Sequence, residues 1–279
     1  MISVVGLGNA ASKIAEKFKS IDNYKVYQLN SAVERSSKYK FKLKKYDDAE
    51  EYEKNIPNLS KFFNDIKGRV QFFVVGSSMS SNYTLGILEQ LKHADIELFY
   101  IKPDGELLTG VPKLVDKVVF SVVQEYARSG LLKSVTLMSN ELLEDHLGEV
   151  PIKKYYDTLN HSIFSAVHYL NFFEHNEPEI GMISRPLDIC RIRSIGMLNM
   201  KNLEEKWLFP LDMDRDICYY MCINKEKLEK DGFLHKRLVN ILKQKPRNAF
   251  RKISYAIYET EYNDFGFCVA LTNVVQQYA

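Results

Sequence analysis

Apolar runs alternate with amphipathic stretches through the first half of this chain. Residues 2–5 form a short β-branched run. Gly6-Leu7-Gly8 follows, and then Ala11, Ile14, Ala15 and Phe18 recur at helical spacing among Lys13, Glu16 and Lys17. Residues 24–29 read as a second strand that ends at Asn30-Ser31. Residues 70–75 (VQFFVV) are continuously apolar between Gly68 and Gly76, the pattern of a strand buried on both faces. A helix over 83–92, a strand over 96–101, a helix over 112–128 and a strand over 134–138 complete the series. This alternation predicts a parallel, doubly wound sheet. Residues 35–70 are the polar exception, a basic stretch followed by an acidic one. They read as a solvated loop and helix face with one short helix at 58–66.

The pattern changes beyond residue 150. Ile152, Tyr155, Tyr156, Leu159, Ile163, Ala166, Val167 and Leu170 make a broad apolar stripe, so 152–173 reads as one long helix. Strands are expected at 216–224, 251–260 and 266–272, with a helix over 225–243 and a hairpin connection over 262–266. The predicted organisation is a nucleotide-binding domain over 1–150, a core connecting helix over 151–180 and a smaller α+β domain over 181–279.

Composition narrows the function. The formal charge of +2 lacks the basic excess that a DNA-coating surface needs, so no direct nucleic-acid binding is expected. No apolar run approaches the ~18–20 residues of a membrane span. The opening MISVVGLGNA has no basic n-region and no cleavage site, which implies a cytoplasmic protein. Cys190, Cys218, Cys222 and Cys268 lack zinc spacing and read as packed, reduced thiols, so no metal site is expected from them.

Two turns carry candidate chemistry. Residues 6–12, GLGNAAS, put small residues where a strand meets a helix N-terminus, and there backbone N–H groups can cradle a phosphate. They also fit the G-x-G-x-x-G/A pattern of dinucleotide sites. Gly76 to Asn82, with serines at 77, 78, 80 and 81, forms the second turn, whose plain alternative is a helix N-cap. One cap needs one serine, and two such turns in one sheet suggest a nucleotide held between them. Asn30 stands where a nicotinamide enzyme would place its ribose-binding acid, which weighs against NAD(P). His161, His168 and His175, seven apart, read as partly exposed helix histidines and supply no hydride-transfer site.

In order, these motifs resemble the tubulin/FtsZ superfamily over nearly the whole chain. Gly6, Gly8, Asn9 and Ala10 occupy the place of its first glycine loop, and Asn30-Ser31-Ala32 that of the turn ending strand two. Gly76, Ser77, Ser78, Ser80 and Ser81 occupy the glycine-rich phosphate loop. Ile101-Lys102-Pro103-Asp104 matches the turn after the next strand, and Met138-Ser139-Asn140 the one after that. On the long helix, Tyr156 and Asn160 stand at the spacing of the family's base-stacking aromatic and base-bonding amide, on one helical face.

The resemblance implies a Rossmann-like GTPase domain, a core helix and a C-terminal activation-type domain. The ligand would be GTP or GDP, with magnesium left open, and copies would assemble head to tail into cytoskeletal filaments. Two departures matter. Serines replace the loop glycines, adding a Cβ wherever positive φ or close approach was needed, so phosphate binding is expected to be altered. In the co-catalytic loop Asp188 keeps the first acid, but Arg191 replaces the second, and a guanidinium cannot accept a proton. Hydrolysis is therefore expected to be weak or lost, with Asp188 the remaining catalytic candidate and an arginine-finger role for Arg191 a lesser option. The reduced loops resemble phage or plasmid members, which would place the protein in an infected host cell. The alternatives are a nucleotide-independent filament or scaffold relative, and a Rossmann NAD(P)-dependent oxidoreductase.

Overall fold

The computed structural model describes residues 1–104, 108–246 and 251–278. The chain divides into two compact units. The first runs from Met1 to Ser165 and takes in the residues from Val275 on; the second is Ala166–Val274.

The first unit is built on six parallel strands. In chain order it contains β1 (Ile2–Leu7), α1 (Asn9–Lys17), β2 (Tyr24–Asn30), β3 (Lys40–Lys42), α2 (Ala49–Lys54), β4 (Arg69–Val75), α3 (Thr84–Gln90), β5 (Asp95–Lys102), α4 (Val111–Ser129), β6 (Ser134–Ser139) and α5 (Asn140–Leu147). The strand order is β3-β2-β1-β4-β5-β6. β1 and β6 are buried at every position, and β4 at its five central ones, as strands covered on both faces must be. Phe73 and Phe99 stack at 4.7 Å on adjacent strands, and Phe18 meets Phe164 edge-on at 4.8 Å. α6 (Tyr155–His175) carries the chain into the second unit.

The second unit holds β7 (Ile180–Met182), β8 (Ile192–Asn199), β9 (Glu204–Trp207), β10 (Asp216–Asn224), α7 (Lys225–Lys230), α8 (Leu234–Gln244), β11 (Lys252–Thr260) and β12 (Phe265–Thr272). Its strands run β8-β12-β10-β11-β7, with β9 paired to β8. Leu238 and Leu242 of α8 join Tyr219, Met221, Ile223 and Ile257 in one core. All four cysteines of the chain are buried and unpaired.

Three local expectations fail. Residues 58–66 form successive turns, not a helix, although Leu59, Phe63 and Ile66 are buried at helix-like spacing. The side chain of Gln90 takes up this backbone, accepting from Leu59 N at 2.7 Å and donating to Pro57 O at 3.0 Å. The helix of this region is α2, capped by Asp48. The helix expected over 225–243 breaks into α7 and α8 at Asp231-Gly232, where Asp231 accepts from Phe233 N and pairs with Arg237. No hairpin spans 262–266: β10 lies between β11 and β12, parallel to the first and antiparallel to the second. The connecting loop instead caps the end of β10, with Asp264 accepting from Asn224 N at 3.0 Å. β3, β7, β8, β9 and α5 lie outside the sequence expectations; β3 and β7, of three residues each, are too short to show a period.

Candidate functional site

The parallel register brings the sequence motifs of the first unit to one edge. Leu7 lies opposite Leu29 and Val74, and Val75 opposite Ile101; Lys102 lies opposite Ser139. The turns after β1, β2, β4, β5 and β6 therefore start at the carboxyl ends of neighbouring strands, where ligands bind in open α/β sheets. Gly8 has φ 87° and ψ 177°, a conformation reserved for glycine, and its N–H donates to Leu29 O at 2.8 Å. A β-carbon on Gly8 would lie 3.4 Å from both Ser78 Oγ and Ser80 Cβ. The two small-residue turns thus meet. Asn30 joins them by donating to Asn9 Oδ1 at 3.3 Å, while its own Oδ1 accepts from Ala32 N at 2.9 Å.

The N-terminus of α1 has no side-chain cap, because glycine occupies the N-cap position. Its leading N–H groups, on Asn9 and Ala10 among others, have no partner inside the helix, an arrangement suited to an anion. α2, α5 and α7, by contrast, are capped by Asp48, Ser139 and Asn224.

The serine turn departs from the strain expected of it. Among the described residues only Leu203 and Met213 have positive φ without being glycine, so no serine of the turn is forced into a glycine conformation. The segment closes as a 3-10 turn over Met79–Tyr83, and no serine side chain caps it. Two hydroxyls shape it: Ser78 Oγ donates to Val75 O at 3.2 Å, and Ser81 Oγ lies 2.6 Å from both Gly76 O and Ser78 O. Ser77 and Ser80 are half-buried, and their hydroxyls make no hydrogen bond among the described residues.

Asn140 is the first residue of α5, whose N-cap Ser139 accepts from Leu142 N at 3.4 Å. Near the start of α6, Tyr156 is 70% exposed and Asn160 only 8%. The Asn160 amide has no hydrogen-bond partner among the described residues. Neighbouring side chains fix this end of the helix: Asp157 pairs with Lys17 at 2.6 Å, and Tyr155 donates to Glu144, which pushes its phenol up to about 12.

Beside the Asn9–Asn30 contact opens a cleft of about 470 Å³, bordered by Ser12, Lys13, Arg35 and Lys40. Of these cations, Arg35 and Lys40 belong to the stretch that the sequence reads as a solvated face. Their signal was the basic run after Asn30, which periodicity alone does not connect to α1. Among the described residues no group of three His, Cys, Asp or Glu side chains could hold a metal ion.

In the second unit Asp188 lies on an exposed loop. Arg185 pairs with its carboxylate at 3.4 Å, and Arg191 Nε donates to its backbone carbonyl at 2.8 Å. Leu187 and Ile189, on either side of it, are 53% and 59% exposed. Arg185 is an addition to the sequence reading, which considered only Arg191.

No protein-family model matches the chain, and no curated protein matches it. Solved structures do. GDP-form protofilaments of TubZ from Bacillus thuringiensis serovar israelensis align with a TM-score of 0.74 at 12% identity, over 99% of this chain and 85% of that one. CetZ from Methanosaeta thermophila aligns at 0.64 and 12% identity, over 98% and 86%. An FtsZ dimer from M. jannaschii aligns at 0.62 and 13% identity, over 97% and 88%. At such identities the likeness is one of architecture, and it extends over nearly the whole chain: the protein has the tubulin/FtsZ-like fold.

Proposed function

We propose that this chain binds a guanine nucleotide at the carboxyl edge of the first unit's sheet and assembles head to tail with copies of itself. The observation that carries the reading is the meeting of the Gly8 turn with Ser78 and Ser80 at the ends of adjacent strands. Phosphates would lie on the uncapped N-terminus of α1, with the hydroxyls of Ser77 and Ser80 as additional donors. Tyr156 offers an exposed ring for stacking. Asn160 offers an amide that is not engaged by the described residues and can hydrogen-bond a base. The filament context is that of the structural neighbours, which include a two-stranded filament of TubZ.

The Asp188 loop supports weak or lost hydrolysis. Arg191 stands where a second acid would be needed, and a guanidinium cannot accept a proton. The loop's exposed Leu187 and Ile189 suit a contact between copies, and a heterologous contact that does not close yields a filament.

Denaturing the purified protein and chromatographing the released base tests nucleotide binding; GDP or GTP is the expected product. Tyr156→Ala and Asn160→Ala should each remove the preference for GTP over ATP, and an unchanged preference in both would refute the base assignment. Negative-stain microscopy should show filaments whose abundance depends on guanine nucleotide. Filaments indifferent to it would favour a nucleotide-independent structural protein.

A further inference from the structure

Beneath the serine turn lies a buried carboxylate that the nucleotide reading does not use. Asp116 of α4 is fully buried. Tyr100 of β5, also fully buried, donates to its carboxylate and lies 3.0 Å from its backbone carbonyl. The other carboxylate oxygen accepts from Tyr278 at 2.5 Å, across 162 residues of chain. Lys102 sits 4.7 Å from the centroid of the Tyr278 ring.

Residues around Tyr278 are docked by further specific contacts. Gln276 N donates to Gln124 Oε1 at 2.8 Å, and Gln124 Nε2 returns a bond to Gln276 O at 3.2 Å, both inside the protein. Phe120 meets the Tyr278 ring edge-on at 5.6 Å. Asp116, Phe120 and Gln124 are four residues apart along α4, so one helical face receives the whole segment.

Gly76 rests directly on this carboxylate. A β-carbon there would collide with Asp116 Oδ1 and the Tyr100 hydroxyl. Gly76 N is fixed to Ile101 O at 3.1 Å, and its carbonyl accepts from Ser81 Oγ, which also bonds Ser78 O. A continuous chain of contacts therefore runs from Tyr278 through Asp116 to Gly76, Ser81 and Ser78, and Ser78 faces Gly8.

We infer that Tyr278 is a positioning residue for the serine turn, setting its geometry through Asp116 and Gly76. Without the Tyr278 hydroxyl, one buried carboxylate oxygen loses its donor, and the floor under Gly76 must rearrange. The inference rests on the proposed nucleotide site only for its consequence for binding; the effect on the turn is independent of any ligand.

Hydrogen exchange of the full chain, followed by mass spectrometry of peptides spanning residues 76–83, tests it. Tyr278→Phe keeps the ring and removes the donor, and should speed exchange there about tenfold, the factor expected for loss of one buried hydrogen bond. Val123→Ala is the control for general softening: Val123 is a buried α4 residue outside the network, and its truncation should leave the turn unchanged. Should Tyr278→Phe fail to fold, Gln124→Met loosens the docked segment without touching the carboxylate and should speed the same peptides. Unchanged exchange in the turn, or an equal rise in Val123→Ala, overturns the inference. Titration with a fluorescent GDP then reads the consequence, about tenfold weaker binding by Tyr278→Phe than by wild type. If wild-type protein binds no GDP, the proposed function fails, while the exchange result still decides the role of Tyr278.

Discussion

Replacing Gly8 by alanine separates backbone geometry from side-chain crowding at the proposed site. The added β-carbon would meet Ser78 Oγ and Ser80 Cβ at 3.4 Å, an ordinary contact distance, so sterics with the serine turn contribute little. The cost is conformational. At φ 87° and ψ 177° the residue occupies a region that is essentially glycine-only, worth about 1–3 kcal/mol of strain for alanine. A loss of that size lowers the melting temperature by roughly 2–4 °C per kcal/mol in a unit of this size. Gly68→Ala is the matched control: its φ is 76°, and a β-carbon there meets nothing within 4 Å. Calorimetry should show both variants destabilised. Relaxation of the strained turn at residue 8 would rotate the N–H groups leading into α1, so guanine-nucleotide affinity should fall by about tenfold or more in Gly8→Ala alone. Equal binding losses in the two variants, or a destabilised Gly8→Ala that binds like wild type, would refute the phosphate assignment of this turn.

Two further outcomes concern stability. Glu97 is almost completely buried and accepts from Arg69 at 2.8 and 2.9 Å and from Gln71 at 3.2 Å, while pairing with Lys133 at 2.9 Å. Glu97→Ala leaves the largely buried Arg69 guanidinium without its carboxylate and should cost about 3–5 kcal/mol in urea unfolding, with a loss below 1 kcal/mol contradicting the assignment. His168 has its pKa lowered by burial. The unfolded chain takes its proton near pH 6.5, whereas the folded chain takes it only at lower pH, so stability should fall as pH drops below about 6.5. That slope should shrink in His168→Gln when unfolding is measured between pH 7 and 5. An identical pH profile in the two proteins would remove His168 as its source.

The first unit was largely legible because its central strands are buried on both faces. VQFFVV between two glycines can hardly be anything but an interior strand, and its place in a parallel sheet follows from the alternation with helices. The same logic located the small-residue turns, since a parallel strand must hand over to a helix at its carboxyl end. It did not tell which serine would do what. Ser78 and Ser81 fold the turn on itself while Ser77 and Ser80 bond none of the described residues, a division set by which carbonyls the 3-10 geometry brings near each hydroxyl.

The second unit was harder. Residues 262–266 carry every local mark of a hairpin, yet β10 takes the central place because it can pair with β11 on one side and β12 on the other. The apolar spacing of Leu59, Phe63 and Ile66 is equally served by turns, which Gln90 anchors at Leu59 N and Pro57 O.

By itself, then, the sequence determined which segments are interior, how strands and helices succeed one another, and where glycine or serine relaxes the chain. These properties follow from side chains a few residues apart, through hydrophobic period and backbone sterics. Only tertiary structure decided that Gly8 meets Ser78, that Asn9 meets Asn30, and that Tyr278 reaches Asp116. Those contacts join groups from 21 to 162 residues apart, and hydrophobic burial, being non-directional, selects a face without selecting its partner.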